Sequence, residues 1–172
     1  MELSYFQLFS LPESYDINSE ALLKAFETLA KKYHPDRVAG CSAFEKRQYT
    51  ALFTTLNEAY RVLKDPVTRA EYCLSRLGIN YDPEKPGPQS IEFLEQQMQW
   101  HERLNLEESA DPEKLAALKK ELDQEQKLRI QKIAKTLKIK DSAQSIVLIS
   151  ELKFFRRLNQ ILKDKEKALK EG

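Results

Sequence analysis

Apolar residues recur along this chain three and four positions apart, the spacing that lines one side of an α-helix. Tyr5, Phe6, Leu8 and Phe9 form a short apolar turn closed by Leu11-Pro12. Leu22, Phe26, Leu29 and Tyr33 then mark one face of a second helix. Asn18 is its predicted N-cap, with Ile17 and Leu22 placed as a hydrophobic staple. Pro35 ends that helix, because proline drives the preceding residue out of helical angles. After a loop from Asp36 to Cys41 that contains Gly40, Ser42-Ala43-Phe44-Glu45 reads as a capping box. Phe44, Leu52, Leu56, Ala59 and Leu63 are the expected buried side of this third helix. Asp65-Pro66 fits the cap and first turn of a fourth, with Val67, Ala70, Leu74 and Leu77 inward and Gly78 as C-cap.

Residues 79–89 hold three of the 7 prolines and read as a stiff linker. Beyond it the pattern predicts three longer helices. Ser90 caps one that runs to about Leu106. Asp111-Pro112 opens the next, with Leu115, Leu118, Leu122, Ile130, Ile133 and Leu137 along one side. Ser142 or Asp141 caps the last, with Ile146, Ile149, Leu152, Phe155, Leu158 and Leu162 inward. Short connections favour antiparallel neighbours, so the simplest arrangement is a three-helix bundle.

Composition agrees with this all-α reading: Gly is scarce (4 residues) and good helix formers dominate. A net charge of +1 gives no bulk attraction for nucleic acid, so a charge-driven partner must meet a local patch. Cys41 and Cys73 lie too far apart for a CxxC pair and suit a reducing compartment. No signal-peptide pattern and no apolar run of membrane-spanning length stand out, which makes cytoplasm the expected location. With His34 and His101 as the only histidines and no ligand-spaced Cys/His pair, neither a metal nor another cofactor is expected.

The strongest chemical candidate is His34-Pro35-Asp36. It follows a helix whose outer face carries Lys24, Thr28 and Lys31, with Lys32 beside them. A ring and a carboxylate held at the tip of a helical hairpin, beside a basic stripe, can dock on an acidic protein surface. Taken alone, the tripeptide reads first as a surface turn beside solvated lysines.

The following residues decide between these. Tyr33-His34-Pro35-Asp36-Arg37 between two helices resembles the signature loop of J domains. So does Leu56-Asn57-Glu58-Ala59-Tyr60-Arg61-Val62-Leu63, followed by Asp65-Pro66 and Arg69-Ala70-Glu71-Tyr72. The opening Leu8-Phe9-Ser10-Leu11-Pro12, the length and the helical second half narrow the likeness to the HscB family of J-type co-chaperones. That resemblance implies a J domain at 1–78, the linker at 79–89, and a three-helix domain at 90–172, set in an L shape. It implies two partners: a DnaK-type chaperone like HscA and an iron–sulfur cluster scaffold like IscU. It also implies that His34, Pro35 and Asp36 trigger the chaperone's ATPase. Lys24, Lys31, Lys32 and Arg37 are the expected electrostatic dock.

The Ser90–Leu106 helix carries two apolar lines: Phe93, Trp100 and Leu104, and beside them Ile91, Leu94 and Met98. Two adjacent lines mean one wide core face, or one core face plus an exposed patch. The family resemblance implies the patch, at Leu94, Met98 and Glu102, with Gln99 and Leu106 near it. Phe154 is expected to complete it, since Phe154 and Phe155 point ~100° apart and would not share one core face. Glu95 departs from the apolar residue the family tends to carry there.

No nucleophile motif or phosphate-binding loop accompanies His34 and Asp36, so the chain is not expected to be an enzyme. Two other readings remain open at this stage: a J protein for a different client, and a non-catalytic helical adaptor.

Overall fold

The computed structural model describes residues 2–105 and 111–171. Among them the regular elements are α1 (Tyr5–Leu8), α2 (Ser19–Lys32), a 3-10 turn (Pro35–Val38), α3 (Ala43–Lys64), α4 (Pro66–Arg76), α5 (Ile91–Asn105), α6 (Pro112–Lys138) and α7 (Ser142–Glu171), with no strand. The chain divides into two compact units, Met1–Arg76 and Leu77–Gly172.

In the first unit each helix starts where a side chain can absorb its free amides. Asn18 Oδ1 accepts from the N–H groups of Glu20 and Ala21 at 2.9 and 3.1 Å. Ser42 Oγ accepts from Glu45 N–H at 3.2 Å, and Asp65 Oδ1 from Val67 N–H at 2.8 Å. Phe6, Phe9, Leu22, Leu56, Ala59 and Leu63 form the core, with Ile17, Phe26, Leu29 and Tyr33 packed against it. The ring of Tyr72 stacks on Tyr5 at 4.6 Å, and its hydroxyl accepts the Tyr5 amide, which ties α4 to α1. Buried Arg69 donates to the Leu63 carbonyl at 2.7 Å, and its guanidinium lies over the Tyr15 ring.

Two side chains expected inside are not. Phe44 is 65% exposed. On a helix it lies roughly 60–120° around from Leu52, Leu56, Ala59 and Leu63, outside the stripe that faces α2. Leu77 lies beyond the end of α4 and is exposed. Gly78 follows with φ +74°, the left-handed geometry that lets a glycine stop the chain from continuing as helix.

In the second unit α6 and α7 form an antiparallel hairpin. Arg129 on α6 reaches Glu151 on α7 at 3.2 Å, and the Thr136 and Ser145 hydroxyls meet at 2.7 Å nearer the turn. Asp141 rather than Ser142 supplies the α7 cap, its Oδ1 accepting from Gln144 N–H at 3.1 Å. Phe93, Trp100 and Leu104 of α5 join Leu115, Leu118 and Leu122 of α6 and Phe154, Phe155, Leu158 and Leu162 of α7 in one core.

The proline-rich segment does not hang free. Lys153 on α7 donates to the Tyr81 hydroxyl at 3.0 Å and to the Pro83 carbonyl at 3.2 Å. Gly87 presses against α7, where an added Cβ would stand 2.9 Å from Ser150 Cβ.

Leu56→Ala should lower unfolding free energy by ~2–5 kcal/mol, the usual cost of a large-to-small core change; urea denaturation reads it. A second expectation concerns acid. Arg103 donates to both oxygens of Glu121, at 2.8 and 2.9 Å. These bonds, against some desolvation, hold the Glu121 carboxyl below its ordinary value of 4.5. A depressed carboxylate contributes stability above that ordinary value and loses it as pH falls through the depressed one. Glu121→Gln should therefore flatten the stability–pH curve below about pH 4.5, measured by denaturation at stepped pH, and leave its slope near neutrality unchanged.

Candidate functional site

The tip of the α2–α3 hairpin is built by backbone rules. Tyr33 closes α2 with φ −109° and ψ 15°, its N–H bonded to the Leu29 carbonyl. His34, barred from helical angles by Pro35, is extended at φ −60°, ψ 137°. The chain then re-enters a single 3-10 turn, anchored by buried Val38. His34 Nδ1 accepts the Asp36 amide at 3.2 Å, so Nε2 carries the ring proton when the imidazole is neutral. Asp36 Oδ2 stands 3.6 Å from the same Nδ1, an ion pair only when the ring is protonated. On its other side the imidazole meets the ring of Phe53 edge-on at 5.7 Å.

His34, Pro35 and Asp36 are all exposed. Lys24, Lys31, Lys32 and Arg37 come together with Glu27 and Thr28 around one shallow open groove. Glu27 was not singled out from the sequence; it places one negative charge among the bases. Phe53 was missed too. It falls outside the apolar stripe of α3, and its ring stands against the tip.

On α5 the two apolar lines separate. Phe93, Trp100 and Leu104 are buried, while Ile91, Leu94 and Met98 are 73%, 45% and 65% exposed. Glu95, Gln99 and Glu102 are exposed around them. Phe154 does not complete this surface. It is 2% exposed, with its ring edge-on to Phe93 at 5.5 Å and to His101 at 5.7 Å. Phe155 is buried beside it. The 100° argument fails because α7 packs against both α5 and α6, so it buries a wider arc than one stripe. Leu106 lies outside the described residues.

A family model described as "DnaJ domain" matches residues 4–72, and one described as "HSCB C-terminal oligomerisation domain" matches residues 89–163. The curated relative "Co-chaperone protein HscB" of Proteus mirabilis is 32% identical over 172 residues, 99% of each chain. The chain belongs to the HscB co-chaperone family. A Neisseria meningitidis HscB homolog is 41% identical over 123 residues, 71% of this chain and 74% of that one. The solved structure of the chaperone HscB from Vibrio cholerae superposes with a TM-score of 0.86 at 28% identity, covering 97% of this chain and 99% of that one. Human HscB shares the fold, with a TM-score of 0.86 at 21% identity over 95% of this chain and 82% of its own. This HscB-family chain is therefore an all-α J-domain co-chaperone with a C-terminal helical domain. Among the described residues no helix is long and apolar enough to cross a membrane.

Burial separates two changes, one on this surface and one in the core beneath it. Leu94→Ala should cost less than about 1 kcal/mol, because an exposed side chain gives up little buried area. Phe154→Ala should cost ~3–5 kcal/mol through the cavity it leaves. Denaturant midpoints of the two variants provide the comparison.

Proposed function

We propose that this chain brings an iron–sulfur cluster scaffold protein of the IscU type to a DnaK-type chaperone of the HscA type and stimulates that chaperone's ATPase. The observation that carries the reading is the pairing, on one chain, of an exposed His34-Pro35-Asp36 tip beside a basic groove with an exposed apolar and acidic row on α5. The first suits a negatively charged chaperone surface; the second suits an apolar ridge with basic neighbours. In this role His34, Pro35 and Asp36 perform no chemistry of their own. They shift the chaperone toward its hydrolysing arrangement by contacting one of its states and not the other, since a partner moves an equilibrium only through unequal affinity. Lys24, Lys31, Lys32 and Arg37 speed the encounter, and Leu94, Met98, Gln99 and Glu102 hold the client. Glu95 interrupts the apolar row and favours a client with a base opposite it. The setting is the cytoplasm, where the reduced Cys41 and Cys73 thiols fit.

Two measurements on the full chain test this. His34→Gln should abolish stimulation of the chaperone's ATPase while the protein still binds the scaffold. Leu94→Ala with Met98→Ala should do the reverse, weakening scaffold binding about tenfold or more, since each buried apolar anchor is worth roughly 1–3 kcal/mol. Stimulation should also weaken as salt rises from 50 to about 300 mM, through screening of the basic groove. A protein that never binds the scaffold but still stimulates the chaperone would serve a different client.

A further inference from the structure

The imidazole of His34 is half exposed, at the end of a helix, where a side chain ordinarily samples several rotamers. Two contacts restrict it. Asp36 N–H holds Nδ1 at 3.2 Å, and Phe53 meets the ring edge-on at 5.7 Å with an interplanar angle of 75°. The first contact is local and follows from the Pro35 turn. The second crosses from α2 to α3 and depends on one side chain.

Phe53 is otherwise hard to place. Among the described residues that form or pack against the first unit's core, around Leu22, Leu56 and Leu63, Phe53 does not figure. Thr50 and Thr54, on either side of it along α3, are exposed, and Thr54 is bonded back to the Thr50 carbonyl. A half-buried aromatic in that setting adds little to the core. Tyr49, one turn earlier, meets Tyr33 at 5.5 Å, and Tyr60, two turns later, stacks on Phe26 at 4.2 Å. Phe53 continues this seam of rings between α2 and α3 and is the member whose partner is the signature histidine.

We infer that Phe53 is a positioning residue: its ring, T-shaped to the imidazole, together with the Asp36 amide, fixes the imidazole of His34 in the orientation that presents Nε2–H to the chaperone. Orienting the ring before the encounter spares the complex the cost of ordering it. Edge-to-face aromatic pairs are strong enough to bias a free rotamer by about 2- to 10-fold. The consequence for ATPase stimulation rests on the function proposed above; the orientation of the ring does not.

Three variants of the full chain test this. Phe53→Leu keeps an apolar side chain of similar size and removes the ring. Phe53→Tyr keeps the ring. His34→Gln is the control for the tip. Two readouts are taken: the ring signals of His34 by NMR on the protein alone, and stimulation of a DnaK-type chaperone's ATPase at sub-saturating co-chaperone. Phe53→Leu should remain folded, shift the His34 ring signals, and lose about 2- to 10-fold of the stimulation, while Phe53→Tyr should keep both close to wild type. Wild-type ring signals and stimulation in Phe53→Leu would overturn the inference, and so would an equal loss in Phe53→Tyr. If His34→Gln stimulates normally, the proposed function fails instead, and the NMR signals alone still decide whether Phe53 orients the ring.

Discussion

Pro35 has no amide hydrogen, and its ring bars the residue before it from helical angles. The whole tip of the first unit depends on that constraint. Because α2 cannot run on, Tyr33 turns out of the helix, His34 becomes extended, and its Nδ1 comes within reach of the Asp36 amide. The chain then needs an anchor, which buried Val38 supplies, before Ser42 starts α3. The bases of α2 and Arg37 of the turn share one groove because the turn folds back at this point. A continuous helix would have spread the same residues around a rod.

The second unit solves a different problem. Its longest helix, α7, is flanked by both α5 and α6, so the core can absorb Phe154 and Phe155 together. That leaves α5 with one line of side chains inside and a second line exposed. Ile91, Leu94 and Met98 stay in water at a cost the packing does not recover, among the acids Glu95 and Glu102. An apolar row kept exposed on a rigid helix is what a binding surface needs and what a core would eliminate.

Most of the helix starts could be read from single residues. Asn18, Ser42, Asp65, Ser90 and Asp111 are all side chains able to accept from free amides, and each does so in the structure. The split of α5 into two lines was visible as periodicity, but which line faces inward required its neighbours. Phe154 shows where the pattern stops informing. A period of 3.6 says which residues share a face; it does not say how many helices cover that face, whereas the angle of Phe44 to the rest of its stripe already sets it apart. Phe53 was invisible for a related reason, since its partner lies across the hairpin and off the apolar stripe. The charges were partly legible: the bases clustered as their spacing implied, while Glu27 among them did not stand out.

The strap from Tyr81 to Gln89 bears on how this segment tolerates change. By composition it is the most permissive stretch of the chain, three prolines amid polar residues. Yet Gly87 lies so close to α7 that a methyl group there would collide with Ser150. In a comparison of many variants, this position would behave as a core residue inside a segment whose composition alone suggests tolerance. Its intolerance would reflect distance to the Ser150 side chain on the neighbouring helix and nothing of the chemistry at either binding surface.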